Sequence, residues 1–305
     1  MMLENLRDEG ISEDLIRELE EFRARNAAKT EQAYRVPTPR YMYYGREVWE
    51  MAITALLCGE NLLLAGPKAT GKNVLSENLA AAFGRPKWDI SLHVNTDSAS
   101  LIGTDTLRDG QVELRRGPVY ECAAWGGFGV LDEINMAKNE ALSVLHATLD
   151  FRREIDVPGY DRIAMDDATR FIATMNYGYA GTRELNEALA SRFMVIEMPQ
   201  ISRENLERLL KKEYPTLRGE WASQLAELFY DLSRKSESAE ISTKALDLRG
   251  LLSAVGLMRA GLDAAPALDM GLVNKTFEPF ERQLVRDVIA LRLPAGLGRD
   301  KLFAE

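Results

Sequence analysis

Cysteine and histidine are nearly missing from this chain, with two of each among 305 residues. Cys58 and Cys122 lie far apart and outside any CxxC spacing, which excludes a disulfide framework and a structural zinc site. Both read as buried small hydrophobes of a reducing compartment. Long apolar runs are missing too. The longest, such as 61–66 and 128–131, fall far short of the roughly 20 residues that cross a bilayer, so no membrane span is expected. The opening Met1-Met2-Leu3-Glu4-Asn5-Leu6 is acidic and polar and holds no secretory core, so the expected location is cytoplasmic. Positive charge is in deficit: 38 Lys+Arg against 47 Asp+Glu leave a net charge of −9. Without a clustered basic surface, sequence-independent binding to nucleic acid is disfavoured. Internal repeats and low-complexity stretches are absent as well.

What is present is an ordinary globular composition, 46% hydrophobic and 28% charged, long enough for one large domain or two smaller ones. Residues 3–29 are charge-rich, with Leu6, Ile11, Leu15, Leu19 and Phe22 at helical spacing, and read as one or two exposed helices ahead of the core. A rigid extended linker, 32–39, follows, because Pro37 and Pro39 fix their own backbone and bias their predecessors away from helix. Residues 45–57 then read as a helix with Val48, Trp49, Ala52, Ile53 and Leu56 on one face. From Asn61 onward, five short apolar runs at 61–65, 88–92, 128–131, 170–175 and 194–198 alternate with helical segments near 72–83, 117–125, 137–149 and 184–191. That alternation is what a parallel sheet covered on both faces requires. Two segments, 101–114 and 150–165, carry turn residues (Gly103, Asp109-Gly110, Pro158-Gly159) and read as hairpin insertions. After Pro199 the strands stop, and 202–214, 220–235, 243–260 and 278–292 read as amphipathic helices. The expected organisation is an N-terminal helical extension over 1–34, an α/β core over 35–199 and a small helical domain over 200–305.

Four motifs carry chemistry. Gly66-Pro67-Lys68-Ala69-Thr70-Gly71-Lys72-Asn73, followed by Val74, joins a strand to a helix N-terminus. Such a loop turns successive backbone N–H groups toward one point, where the helix dipole adds positive potential. Lys72 would set its ammonium on the β- and γ-phosphates of a nucleotide. Second, the strand ending in Leu131-Asp132-Glu133-Ile134-Asn135 puts two carboxylates at the carboxyl edge of the sheet, beside the loop. Asp132 suits Mg²⁺, directly or through water, and Glu133 suits a general base. Third, Ala173-Thr174-Met175-Asn176 ends a strand in an amide able to hold a lytic water or touch the γ-phosphate, or simply to make a turn. Fourth, Arg192 in Ala190-Ser191-Arg192-Phe193 has no acidic partner nearby in sequence, and is either a solvated charge or a finger that stabilises phosphoryl charge in a neighbouring subunit. His93 and His146 are isolated and read as structural, and Trp88, Trp125 and Trp221 read as core.

These motifs, in this order and together with Gly181-Thr182-Arg183-Glu184-Leu185, resemble the AAA+ ATPases, and among them the MoxR-like and dynein-related branch. The resemblance spans about Arg35 to Arg259. It implies a P-loop NTPase fold, a parallel five-stranded sheet flanked by helices, followed by an all-α lid. It implies a Walker A loop at 66–73, a Walker B strand with Asp132 and Glu133, sensor 1 at Asn176 and a trans-acting arginine finger at Arg192. It places 101–114 as the insertion in helix 2 and 150–165 as the hairpin before sensor 1. Gly45-Arg46-Glu47 resembles the stretch lying along the adenine, and Arg152-Arg153 falls where a central channel would contact substrate. Members of the branch generally form hexameric rings and often act with a von Willebrand factor A-domain partner on a protein client.

Two departures from the family pattern stand out. The loop has Lys68-Ala69 where Pro-Gly is usual, and Asn73 where Thr or Ser is usual. A positive φ at Ala69 would cost on the order of 1 kcal/mol. Asn73 offers Mg²⁺ a neutral carbonyl oxygen on a longer side chain than a hydroxyl, so weaker coordination and slower turnover are expected, with nucleotide binding retained. In the lid, sensor 2 falls on Lys244, which keeps the charge of the usual arginine without its planar fork; Arg249 is the substitute. The leading expectation is a Mg²⁺-dependent ATPase that remodels a protein partner as a ring. A slow or non-hydrolysing nucleotide-gated binding module is the alternative, and a nucleic-acid motor is the least favoured.

Overall fold

The computed structural model describes residues 2–157, 159–177 and 184–304. The chain groups into two compact units, Met1–Pro67 with Gly71–Pro199, and Gln200–Glu305 with Lys68–Thr70.

The first unit is built on a parallel sheet whose strands are β1 (Leu62–Ala65), β2 (Lys87–Ser91), β5 (Phe128–Asp132), β8 (Arg170–Met175) and β9 (Met194–Glu197). Two small hairpins supply the intervening strands, β3 (Gly103–Arg108) with β4 (Gln111–Arg116), and β6 (Glu154–Ile155) with β7 (Ile163–Ala164). The sheet order is β2-β5-β8-β1-β9. Leu62 pairs with Ile172 on one side and Met194 on the other, and Leu131 pairs with Ala173. The three central strands, β5, β8 and β1, therefore end side by side at one edge.

Strand side chains alternate between faces, so neighbouring residues enter different cores. Leu62, Leu64, Ile172 and Ile196 join one apolar cluster; Leu63, Leu131, Phe171 and Ala173 join the other. The first cluster is closed by four helices, α1 (Met2–Asp8), α2 (Glu13–Arg25), α3 (Arg46–Leu57) and α4 (Lys72–Phe83). The sequence reads the first two as exposed, ahead of the core. Instead they are part of it: Leu6, Ile16 and Leu19 are fully buried, and the ring of Phe22 meets Phe83 edge-on at 5.1 Å. Arg23 also donates to the carbonyl of Ala82 at 2.9 Å, capping the C-terminal turn of α4. A charged helix with a narrow apolar stripe looks the same in sequence whether or not a domain covers that stripe.

Other expectations need local correction. Thr30–Arg35 winds as a 3-10 helix that takes in the first residues of what reads as an extended linker, since proline constrains only itself and its predecessor. The helix expected over 137–149 is broken into short α turns flanking a 3-10 turn at Ser143–Leu145, a winding that still buries Leu142, Leu145 and Leu149. Cys58 is exposed, at the end of α3, while Cys122 is buried. Pro158, one of the turn residues of the second insertion, lies outside the described residues.

The second unit is helical. Arg203–Glu213, Gly219–Glu237, Leu248–Arg259 and Pro279–Arg292 are the main helices, with Ala264–Gly271 between the last two. The third starts at Leu248 rather than near Thr243, because the Asp247 carboxylate accepts the Gly250 N–H at 3.0 Å and caps it there. Gly250 and Gly271 let two helices touch backbone to backbone: a Cβ on Gly250 would sit 2.0 Å from the Gly271 carbonyl oxygen. No helix among the described residues is long and apolar enough to cross a membrane.

Candidate functional site

The loop from β1 to α4 starts at the carboxyl end of β1, between β8 and β9 in the sheet. Gly66 is favoured by crowding, since a Cβ there would lie 3.0 Å from the Met198 carbonyl oxygen and press the backbone apart by a few tenths of an ångström. Ala69 has φ +65° and Gly71 φ +83°, so the loop makes two left-handed turns in three residues. Glycine takes that conformation freely; alanine at 69 gives up about 1–2 kcal/mol to hold it. The Tyr43 ring lies against Gly71, 3.1 Å from where a Cβ would be. The Asn78 side chain of α4 fixes the segment carrying Tyr43, accepting its N–H at 3.0 Å and donating to the Tyr41 carbonyl at 2.8 Å. Gly45, with φ +149°, donates its N–H to Glu9 at 3.1 Å, which ties the segment to the residues just past α1.

Lys72 opens α4 and is buried. Its Nζ donates to the carbonyls of Gly66 at 2.9 Å and Pro67 at 2.7 Å, curling the loop around the ammonium. Burial pulls its pKa down to about 8, against the opposing pull of Asp132 and Glu133. One residue on, the Asn73 amide nitrogen donates to Asp132 Oδ2 at 3.1 Å. Val74 packs against the first core cluster. Lys68, Ala69 and Thr70 complete the loop between Pro67 and Gly71.

Asp132 ends β5. Its other oxygen, Oδ1, accepts the Thr174 hydroxyl at 2.5 Å. Glu133 then leaves the sheet with φ +56° and ψ +49°, a left-handed turn unusual for a long side chain. Its N–H donates to the same Thr174 oxygen at 3.0 Å, and its carboxylate oxygen Oε1 sits 3.5 Å from Asn176 Nδ2. Asn135 is buried and donates to the Asn176 carbonyl at 2.8 Å. Lys72, Asn73, Asp132, Glu133 and Asn176 are thus linked through one stretch of sheet edge. The sequence reading missed two members of that network, Thr174 and Asn135. Strand alternation offered a clue for the first, because Thr174 stands two residues before Asn176 and shares its face.

Arg192 is placed apart from this network. Among the described residues its guanidinium meets Asp150 Oδ2 at 3.4 Å, the His146 carbonyl at 3.2 Å and the Ala188 carbonyl. The acidic partner not apparent from local sequence is therefore Asp150, from the approach to the β6–β7 hairpin. Asp150 is held mainly by Arg152, whose hydrogen bonds keep its carboxyl near a pKa of about 2. Arg153, one of the pair that the resemblance sets at a central channel, turns back and donates to the carbonyls of Asp166 and Thr169. Lys244 belongs to the second unit, in an exposed turn before the Leu248–Arg259 helix, and its N–H reaches Ser242 Oγ at 3.4 Å. Arg249 is exposed in the first turn of that helix. Gly181, Thr182 and Arg183 lie outside the described residues.

Residues 61–193 match the AAA domain (dynein-related subfamily). The chain is also similar to the uncharacterized protein YojN of Bacillus subtilis, at 34% identity over 242 residues, covering 78% of this chain and 79% of that protein. The uncharacterized protein SH1500 of Staphylococcus haemolyticus is 31% identical over 258 residues, 83% of this chain and 98% of the relative. Protein SAB1265c of Staphylococcus aureus is 32% identical over 239 residues, 76% and 90% of the two chains.

Proposed function

The chain belongs to the dynein-related subfamily of AAA+ ATPases, and from that premise we propose that it is a Mg²⁺-dependent ATPase that works as a MoxR-like ring, hexameric by family analogy, on a protein partner. The observation that carries this reading is the buried Lys72 ammonium inside a strand-to-helix loop, with Asp132 and Glu133 at the same edge of the sheet, at the end of β5. Lys72 and the loop amides of 66–73 bind the polyphosphate. Glu133 takes the proton of the attacking water, and Asn176 holds that water against the γ-phosphorus. Arg192 of a neighbouring protomer meets the charge on the transferred phosphoryl group. Lys244 is the lid cation for the γ-phosphate, and residues 200–305 are that lid.

The donor chemistry fits Mg²⁺. Asp132 offers carboxylate oxygens and Asn73 an amide oxygen, both hard ligands, while the described residues hold no cluster of three His, Cys, Asp or Glu that would suit a softer or fully caged ion. Held by Asp132 and Asn73, Mg²⁺ would supply charge neutralisation to the polyphosphate. The Asn73–Asp132 bond gives the slower, nucleotide-gated alternative its support, because the amide nitrogen now occupies the carboxylate oxygen that a metal site needs.

The two hairpins are proposed to contact the client. Leu107 and Val112 pair directly across β3–β4 and stand 75% and 63% exposed, and Tyr160 donates its hydroxyl to Asp105 at 2.7 Å, joining one insertion to the other. A von Willebrand factor A-domain protein is the proposed companion.

ATP turnover measured alongside sedimentation tests the assembly. The rate per subunit is expected to rise as rings form and to vanish without Mg²⁺, and Asn73→Thr is expected to raise it several-fold. A rate that stays flat across the assembly range would remove the trans arginine from the scheme.

Lys72 makes a second expectation possible. Its folded-state pKa of about 8 lies below its ordinary 10.5, so the folded chain binds fewer protons between those values. The nucleotide-free protein therefore gains stability from this group as pH rises through that window. Phosphate on the ammonium favours the charged form, so ATP binding near pH 8 should take up about half a proton. Calorimetry in buffers of different ionisation enthalpy reads this directly, and zero uptake would mean Lys72 is already fully charged.

A further inference from the structure

We propose that Thr174 is a positioning residue, a single hydroxyl that sets both the carboxylate of Asp132 and the backbone of Glu133. The inference rests on the ATPase reading above and assigns a part of that site to a side chain that meets no substrate itself.

Thr174 is 1% exposed on β8. Its hydroxyl has one proton to give. Facing an acceptor-only carboxylate oxygen at 2.5 Å, it donates to Asp132 Oδ1, which leaves its lone pairs for the Glu133 N–H at 3.0 Å. Both bonds are directional and part-buried, and the first is charge-assisted.

The register shows why a hydroxyl is needed there. Strands β5 and β8 pair from Phe128–Arg170 to Leu131–Ala173, and the ladder stops one step before Asp132 would meet Thr174. At that step the chain turns away through the left-handed Glu133. The Thr174 side chain supplies the acceptor that the ladder no longer offers. It thereby pins the turn that brings the Glu133 carboxylate toward Asn176. With Oδ1 of Asp132 held by Thr174 and Oδ2 by Asn73, the plane of the carboxylate is fixed from both sides. A merely structural threonine would satisfy its own burial; this one joins two neighbouring groups that the mechanism uses for different tasks.

The test compares Thr174→Val and Thr174→Ser, each alone and with Glu133→Gln, in steady-state ATP hydrolysis. Thr174→Val is expected to lower kcat by about 30-fold or more, within the span of a misplaced general base, while KM for ATP stays within about threefold. Thr174→Ser keeps the hydroxyl and is expected to stay near the parent rate. Combined with Glu133→Gln, Thr174→Val should cost clearly less than it does in the parent, because one of the two groups it positions is already disabled. Equal losses in both backgrounds, a serine variant as poor as the valine, or a parallel rise in KM would overturn the assignment. If Thr174→Val fails to fold, Thr174→Ala removes the hydroxyl without pressing a methyl on Asp132 and is read against the same outcomes. A parent protein with no ATP turnover overturns the ATPase reading and this one together, whereas an active parent with an equally active Thr174→Val overturns this one alone.

Discussion

Glu133→Gln is expected to lower ATP turnover by at least about a hundredfold and to leave ATP trapped on the protein. Glutamine keeps the length and shape of the side chain, and the backbone bond from residue 133 to Thr174 is untouched. The amide is unable to accept the water proton at neutral pH. Binding is expected to survive because the groups proposed to hold phosphate, Lys72 and the loop amides, belong to the β1–α4 connection and not to the segment that carries Glu133. Filter-retained radiolabelled ATP with phosphate release followed in parallel gives both readouts. A nucleotide-gated binding module would respond differently, with partner affinity and release little changed by the substitution, so the same experiment separates the two functions.

Arg192→Ala carries the second large effect. A finger supplied in trans is worth about 10³-fold or more in turnover, and a loss of that order is expected. The change should cost little stability. Arg192 and Asp150 are part-buried and meet only at 3.4 Å, a long pairing whose loss is expected to cost about 1 kcal/mol. Asp150 also keeps Arg152 at 2.6 Å, so no carboxylate is stranded. Mixing inactive Arg192→Ala with inactive Glu133→Gln gives the decisive reading. A ring containing both places an intact arginine next to an intact Glu133 at some interfaces, and turnover should partly return. No recovery in mixed rings would confine Arg192 to its own subunit.

The sheet and the loop were legible because each strand is a short apolar run with a change of pattern at its end. Residues 128–131 read as a strand, and the acidic pair that follows points to the sheet edge, because strand direction alone fixes which end of a parallel sheet Asp132 occupies. The N-terminal helices were misjudged, since Leu6 and Leu19 show their period but not the surface that covers them. Arg192 illustrates a second limit. Its partner Asp150 lies 42 residues away in sequence, and only the fold brings the approach to β6 beside the approach to β9. Thr174 was overlooked for a different reason: a β-branched residue inside a strand is the expected composition of any sheet, and its hydroxyl gains meaning only from the neighbours across the ladder.

The grip of Arg23 on the last turn of α4 has a practical consequence for variants of this chain. The helix that begins at Lys72 is 12 residues or about 18 Å long, and it is clamped at its far end by Phe22 and Arg23. Trimming the leading segment to obtain a minimal catalytic fragment would strip Phe83 of its cover and free the rear of that helix. Damage inherited in the first 25 positions should therefore surface as impaired nucleotide affinity, not as the loss of some separate appendage.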